Sequence, residues 1–177
     1  MSPPELELDL RAAIRSIPDY PSPGIMFRDI TTLLADARAF RRAVDELVQP
    51  LAGAKVDKVA GIEARGFILA APVACRLGAG FVPIRKKGKL PGTTFAEDYE
   101  LEYGTATIEV QTDAFAPSDR VLVIDDVLAT GGTARATADL VQRTGAQVVG
   151  FAVLLELSFL NGRAKLSDLP VSALLTV

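Results

Sequence analysis

Apolar residues recur at helical intervals in the first third of the chain. They repeat every three or four positions over residues 4–17, and they line one face of residues 36–51. Both patterns predict amphipathic helices. Prolines and a glycine over residues 18–24 predict a rigid, irregular segment between these helices.

The rest of the chain alternates short apolar runs with helical patterns. Pro72 is placed near the first turn of one predicted helix or at a kink, Thr133 is the predicted N-cap of another, and Gly145 ends it. The predicted elements are strand 58–62, helix 67–77, strand 81–85, strand 121–124, loop 125–132, helix 134–143 and strand 148–155. This alternation predicts an α/β fold with a mostly parallel sheet flanked by helices.

Two segments with alternating polar and apolar residues lie between these units. Residues 99–103 and 105–111 are joined at Gly104, which predicts a β-ribbon, and the whole region 86–116 is interpreted as a lid. The length of 177 residues and the hydrophobic content of 49% are those of one globular domain, so a single domain over residues 1–177 is predicted.

The composition excludes several kinds of chemistry. The chain has no histidine, which excludes histidine-activated nucleophiles and histidine-ligated metals, and its single cysteine, Cys75, excludes an intrachain disulfide. The net charge of −3 disfavours a general nucleic-acid binder. The first residues lack the pattern of a signal peptide and no apolar stretch is long enough to span a bilayer, so a soluble protein of the reducing cytoplasm is expected.

The strongest chemical signal is the segment from residue 121 to residue 133. An apolar strand delivers two adjacent carboxylates, Asp125 and Asp126, to the carboxyl edge of the sheet, where ligands of open α/β folds bind. A small, glycine-rich loop then enters a helix, a pattern that favours binding of a phosphate. The loop residues are Ala129, Thr130, Gly131, Gly132 and Thr133. Phosphate at one end and hydroxyl groups at the other are the features of a ribose 5-phosphate.

Three other interpretations of this segment are weaker. A Walker B strand would need a G-x-x-x-x-G-K-[ST] loop elsewhere, and a dinucleotide-binding fold would need G-x-G-x-x-G after a strand, but the chain has neither. A polar turn that only caps a helix would explain the acidic pair alone. It does not explain that pair together with the Ala-Thr-Gly-Gly-Thr loop.

The same segment resembles the motif with which type I phosphoribosyltransferases bind 5-phosphoribosyl 1-pyrophosphate (PRPP). Further segments, in order over nearly the whole chain, resemble the branch of that family that acts on adenine. They are PGIMFRDI at 23–30, IEARGF at 62–67, IRKKGKLPG at 84–92, LEYG at 101–104, LEL at 155–157 and GR at 162–163. The resemblance implies a Rossmann-like sheet with a small hood, built from about residues 18–32 and the C-terminal segment, and a flexible β-ribbon lid.

The resemblance also implies a reaction, in which the phosphoribosyl group moves from PRPP to N9 of adenine and gives AMP and pyrophosphate. Asp125 and Asp126 are expected to hold the ribose hydroxyls beside the positive charge that grows on the ring, and loop 129–133 to bind the 5-phosphate. Magnesium is expected to be bound through oxygens of PRPP and pyrophosphate.

A set of cations is expected to hold the leaving pyrophosphate. It consists of Arg65, Arg85, Lys86, Lys87 and Lys89. A solvated run of charge is the alternative for the last four. The resemblance implies that some of them reach the site of a neighbouring subunit, and therefore a homodimer. It also implies that the peptide bond between Glu63 and Ala64 is a candidate for the cis form.

Glu102 and Tyr103 are placed at the tip of the lid. The resemblance implies that closure brings Glu102 to the imidazole side of adenine, where it handles the proton shared by N7 and N9; an ordinary hairpin pair is the alternative. Arg28 is expected to read the base through its main chain, while plain core packing is the alternative for the apolar residues. The expected adenine-binding residues are Met26, Phe27, Arg28 and Leu157.

Two other functions are compatible with the motifs. One is a phosphoribosyltransferase for another purine, because backbone groups can distinguish a 6-amino from a 6-oxo base without a trace in the side chains. The other is a regulator that senses PRPP without catalysis. The acidic net charge and the LEYG segment of the lid disfavour the regulator.

Overall fold

The computed structural model describes residues 10–51, 53–100 and 104–177. The chain divides into two compact units, one that ends at Glu46 and one over Leu47–Val177. Within the described residues, no helix combines the length and the apolar character needed to cross a membrane.

The first unit is organised around Asp29. Its elements are β1 (Arg15–Ile17), β2 (Phe27–Asp29), α1 (Thr31–Ala35) and the start of α2 (Ala37–Val48), and β1 and β2 are antiparallel. Asp29 accepts hydrogen bonds from the hydroxyl (2.7 Å) and the amide (2.9 Å) of Thr31 and forms an ion pair with Arg15. These contacts lower the pKa of Asp29 to about 2.

The helix predicted over residues 4–17 is wrong at its C-terminal end. Residues 1–9 lie outside the described part of the chain, and only residues 10–12 are helical. The chain then turns into β1, because pairing with β2 gives the backbone groups of β1 their partners.

The helix predicted over residues 36–51 is shorter than expected. Asp36 precedes α2 and caps it, because its Oδ1 accepts the amides of Arg38 (2.8 Å) and Ala39 (3.0 Å). After Val48 the chain tightens into a 3₁₀ turn over Gln49–Leu51, which contains a proline and therefore lacks one amide donor.

The second unit contains a seven-stranded sheet with the order β5-β6-β4-β3-β7-β8-β9. Its elements are β3 (Lys58–Ile62), α3 (Arg65–Leu77), β4 (Gly80–Lys86), β5 (Thr94–Glu100), β6 (Thr105–Gln111), β7 (Arg120–Leu128), α4 (Gly132–Arg143), β8 (Gln147–Glu156) and β9 (Val171–Thr176). The five strands β4, β3, β7, β8 and β9 are parallel to one another, whereas β6 is antiparallel to both β4 and β5. The predicted mostly parallel α/β fold is confirmed.

Three predicted boundaries near the carboxyl edge are wrong. The helix α3 starts at Arg65 and continues through Pro72, which lies in its interior. The strand β7 extends to Leu128, because its pairing with β8 continues that far, so both aspartates belong to the strand. The N-cap of α4 is Gly131, in the left-handed conformation, and not Thr133.

Residues 101–103 lie outside the described part of the chain. The predicted ribbon consists of β6, as expected, and of β5, which runs over Thr94–Glu100 and not over residues 99–103, because its pairing with β6 begins at Thr94. It extends the main sheet, because β6 pairs with the end of β4. The strand β5 also contacts α4, where Arg143 donates hydrogen bonds of 2.7 Å to the Ala96 carbonyl oxygen and to the Glu97 carboxylate.

Candidate active site

The acidic pair and the glycine-rich loop meet at the carboxyl end of β7. Asp125 and the loop 129–133 line a small cavity of about 70 Å³. The first amides of α4 also lie at this point, and they have no acceptors within their own helix. The cavity therefore has anion-binding donors on one side and a carboxylate on the other.

Gly131 determines the shape of this loop. Its φ of +77° lies in the left-handed region, which glycine adopts without steric cost. A Cβ atom at this position would also overlap the carbonyl oxygen of Gly162. The Gly131 carbonyl oxygen accepts the amide of Arg135 at 2.9 Å, which continues the loop into the first turn of α4.

The two aspartates have different surroundings. Asp126 is 5% exposed, and its Oδ2 lies 2.7 Å from Nε of Arg65. The two groups form an ion pair whose angle is too poor for a hydrogen bond, so within the described residues this oxygen has no hydrogen-bond donor. Asp125 is partly buried, and its Oδ1 accepts the amide of Asp126 at 2.8 Å. The pair can therefore accept hydrogen bonds from two neighbouring hydroxyl groups.

Asp125 is an unusually weak acid in this position. Burial of its carboxyl group, together with the negative charge of Asp126, raises the pKa of Asp125 well above its ordinary value. The first turn of α3 packs closely against the Asp125 carboxyl group, since a Cβ atom at Gly66 would lie 2.9 Å from Asp125 Oδ1. Sequence reasoning missed Gly66; its signal is a glycine at the start of a helix that follows a charged turn.

Basic residues at the end of β4 and in the loop after it contact a single buried carboxylate. The side chain of Glu63 is 8% exposed, and its Oε1 lies 2.5 Å from Nζ of Lys89. Its Oε2 accepts hydrogen bonds from Nε of Arg85 (3.2 Å) and from the amide of Lys86 (3.0 Å). Burial tends to raise the pKa of Glu63, but these donors outweigh it and lower the pKa.

Glu63 is a second residue that sequence reasoning missed as a functional group. Its signal was weak, because its partners are 22 to 26 residues away in the chain. Its peptide bond to Ala64 is cis. The backbone amide of Lys87 donates a hydrogen bond to the Thr107 carbonyl oxygen at 3.1 Å.

The remaining predicted residues are distributed over both units. In the first unit, Met26 is 50% exposed. The ring of Phe27 packs edge-on against the ring of Tyr20, with 5.1 Å between the ring centroids, and the Arg28 guanidinium donates a hydrogen bond to the Ser16 hydroxyl. In the second unit, the amide of Leu157 donates to the Leu128 carbonyl oxygen at 2.9 Å. Glu102 and Tyr103 lie outside the described residues.

Comparisons with known proteins agree with this arrangement. A family model described as a phosphoribosyl transferase domain matches residues 29–168. Because the match covers most of the sheet and the whole glycine-rich loop, the chain belongs to the phosphoribosyltransferase family, a class of pentosyltransferases.

Within this family the chain groups with the adenine phosphoribosyltransferases. The enzyme of that name from Thermobifida fusca is 63% identical over 164 residues, which are 93% of each chain. The crystal structure of the Rhodothermus marinus enzyme superposes with a TM-score of 0.94 at 52% identity and covers 98% of this chain and 99% of its own. The Saccharomyces cerevisiae enzyme, solved with an imino-altritol bisphosphate and adenine, has a TM-score of 0.91 at 37% identity over 97% and 99%.

Proposed function

We propose that the protein transfers the 5-phosphoribosyl group of PRPP to N9 of adenine and releases AMP and pyrophosphate, a reaction of purine salvage. The observation that carries the proposal is the cavity in which Asp125 faces the loop 129–133. Its two sides match the two ends of a ribose 5-phosphate. The adenine bound in the Saccharomyces cerevisiae relative supports adenine as the base.

The loop 129–133 binds the 5-phosphate in this proposal. The left-handed Gly131 is the N-cap at which the loop enters α4. The amides at the start of α4 provide donors, together with the positive end of the helix dipole. The hydroxyl groups of Thr130 and Thr133 add further donors.

Asp125 and Asp126 hold the 2- and 3-hydroxyl groups of the ribose. The Oδ2 atom of Asp126 supports this role, because it has no hydrogen-bond donor among the described residues and can accept a hydroxyl proton once Arg65 moves to the pyrophosphate. As the bond from C1 to pyrophosphate breaks, the ribose ring gains positive charge. A nearby pair of carboxylates stabilises that charge more in the transition state than in the ground state.

The leaving pyrophosphate gains negative charge, which a set of cations stabilises in this proposal. The set consists of Arg65, Arg85, Lys86, Lys87 and Lys89. Arg85 and Lys89 share the carboxylate of Glu63, which lies two residues before Arg65, and Arg65 pairs with Asp126. Pyrophosphate carries more charge than a carboxylate and can replace it as the partner of these cations.

Magnesium enters with PRPP in this proposal and neutralises charge on the leaving group. Among the residues that the structure describes, no three Asp, Glu, Cys or His side chains lie close enough together to form a metal site. In this proposal the ion would be held mainly by oxygens of PRPP and pyrophosphate.

We assign adenine binding to Met26, Phe27, Arg28 and Leu157, and further roles toward the base to Glu102 and Tyr103. These roles rest on the resemblance of the corresponding segments. Since the chain has no histidine, Glu102 is the group that we assign to the proton shared by N7 and N9.

The protein acts as a homodimer in this proposal, and some of the basic residues at 85–89 reach the site of the partner subunit. Exposed apolar side chains in the second unit support a subunit contact, among them Ile68 at 43% and Phe81 at 39% exposure. The free, exposed thiol of Cys75 is compatible with a reducing compartment, which supports a cytoplasmic location.

The decisive experiment mixes the protein with PRPP, magnesium and one purine base, and separates the products by chromatography. AMP should form with adenine, and far less nucleotide should form with hypoxanthine, guanine or xanthine. Preference for a 6-oxo purine would contradict the assignment of the base. Binding of PRPP without any nucleotide product would instead indicate a sensor.

A further inference from the structure

The segment that follows β8 touches the phosphate loop along its backbone. We call residues 157–168 the brace; it contains the 3₁₀ turns Ser158–Leu160 and Gly162–Leu166. The sequence motifs at 155–157 and 162–163 fall at its start and middle, and the reaction as proposed gives no role to Glu156, Gly162 or Arg163.

Gly162 is the point of closest approach. A Cβ atom added here would overlap the carbonyl oxygen of Ala129 and would lie 2.9 Å from the amide nitrogen of Gly131. The reverse is also true, since a Cβ atom at Gly131 would overlap the carbonyl oxygen of Gly162. The two backbones are therefore in direct contact, with no room for a methyl group on either side.

The backbone conformation of Gly162 does not explain why the residue is a glycine. Gly162 is buried at the first position of a 3₁₀ turn and does not have the positive φ that Gly131 has. Other residues adopt that conformation readily. The close approach to Ala129 is thus the physical reason for the glycine.

An ion pair between the buried Glu156 and the exposed Arg163 fixes the brace at this point. Glu156, at the end of β8, is 7% exposed, and Arg163 donates to both of its carboxylate oxygens at 2.9 and 2.5 Å. Arg163 also donates to the Val171 carbonyl oxygen at 2.8 Å. A two-point contact of this kind sets direction as well as distance. Since Gly162 precedes Arg163, the ion pair sets the position of Gly162.

Both ends of the brace are fastened to the elements around the phosphate loop. At the start, the amide of Leu157 donates to the Leu128 carbonyl oxygen at 2.9 Å. At the end, the carboxylate of Asp168 accepts two hydrogen bonds, of 2.8 and 3.0 Å, from Arg135 in α4. The brace therefore spans the loop from the strand that enters it to the helix that leaves it.

We propose that Gly162 and the ion pair of Glu156 with Arg163 are positioning residues, which hold the loop 129–133 in the shape that receives the 5-phosphate. The proposal rests on the proposed function of that loop. It adds that a part of the chain that does not line the cavity determines how well a phosphate binds.

The first test compares Gly162→Ala with Gly150→Ala, using calorimetric titration with ribose 5-phosphate. A Cβ atom at Gly150 would meet Leu122 and Pro170 only at 3.6 Å, so this variant is a matched control on β8. The Gly162→Ala protein should bind at least roughly tenfold more weakly, because the displaced loop misaligns its donors. The control should bind within about twofold of the wild type. The KM for PRPP should rise more than kcat falls.

The second test removes the ion pair without adding volume. Arg163→Gln should weaken binding of ribose 5-phosphate, and Arg163→Lys should restore part of it, because lysine keeps the charge but loses the two-point contact. This pair keeps the proposal open to test if Gly162→Ala does not fold.

The outcomes separate this proposal from the proposed function. Folded variants with a lower Tm but an unchanged dissociation constant for ribose 5-phosphate would overturn the brace alone and leave a purely structural role. Wild-type protein that binds neither ribose 5-phosphate nor PRPP would overturn the function of the loop, and the brace with it.

Discussion

The two ends of the proposed substrate site are built from different groups. The end that we assign to the 5-phosphate consists of backbone amides within one stretch, residues 129–133, next to the carboxylates that precede it. The end that we assign to pyrophosphate consists of charged side chains from separate segments, of which Arg65, Arg85 and Lys89 are paired with the carboxylates of Asp126 or Glu63. One end is set by the fold, and the other by exchangeable ion pairs.

This difference has a consequence for catalysis. Backbone donors keep their direction when the substrate leaves, so the phosphate end needs no rearrangement before each turnover. The cations at the other end must leave Glu63 and Asp126 before they can hold pyrophosphate. We therefore expect substitutions at the phosphate end to abolish function, and substitutions at the pyrophosphate end to change affinity by smaller factors.

The largest effect is expected from Asp125→Asn combined with Asp126→Asn. The ribose ring would then lose both carboxylates that stabilise its developing positive charge, so kcat should fall by about a thousandfold or more. Circular dichroism should show an intact fold. Steady-state kinetics provide the measurement, and unchanged turnover would refute the ribose site.

Gly131→Ala should have the next largest effect. The left-handed conformation alone costs about 1–2 kcal/mol for a residue with a Cβ atom, and the overlap with Gly162 adds to it. Activity and Tm should both fall strongly. Gly78→Ala is the matched control, because Gly78 also has a positive φ but has open space around its Cβ position. Equal losses in the two variants would show that the contact with Gly162 has no effect.

Glu63→Gln should change the affinity for pyrophosphate by a smaller factor. The carboxylate competes with pyrophosphate for Arg85 and Lys89, so its neutralisation should tighten pyrophosphate binding by roughly two- to fivefold, the range of one or two partly exposed ion pairs. Product inhibition measures this effect. The control is Glu109→Gln, where the carboxylate accepts only the Gly88 amide among the contacts described here. Weaker binding in the Glu63 variant would mean that Glu63 aligns the cations instead.

The smallest effect is expected in the stability of Asp125→Asn as a function of pH. Because the pKa of Asp125 is raised in the folded protein, its ionisation destabilises the fold above the pKa of the unfolded chain, near 3.8. The neutral variant should therefore be more stable at pH 7, with Tm higher by about 2–4 °C for each kcal/mol of relief. This advantage should disappear as the pH falls below 4. A variant less stable than wild type at pH 7 would contradict the pKa direction.

Local patterns predicted what local forces determine. The strands at 58–62 and 121–124 were predicted from their continuous apolar runs and the helix at 134–143 from the pattern and end signals that follow, because burial decides those elements. The strand at 15–17 was missed, because its structure depends on pairing with Phe27–Asp29, which the periodicity of the first segment does not show. The cap of α4 was assigned to Thr133, since hydroxyl residues usually cap helices, but a left-handed glycine takes that position.

The same limit applies to the site. The acidic pair and the glycine-rich loop are contiguous in sequence, so their meeting could be predicted. The contact of Glu63 with Lys89, and that of Gly162 with Ala129, join residues 26 and 33 positions apart. Such contacts depend on how the strands are ordered in the sheet, and a single sequence contains no direct record of that order.

The hairpin of β5 and β6 is joined to both ends of the site. Its second strand pairs with Arg85 and Lys86 at the root of the basic loop, and in its first strand the Glu100 carbonyl oxygen lies 3.0 Å from where a Cβ atom at Gly132 would be. The hairpin therefore contacts both ends of the proposed site. A shift of the hairpin would move the basic residues and the phosphate loop together, so we expect the affinities for the two ends of PRPP to change together.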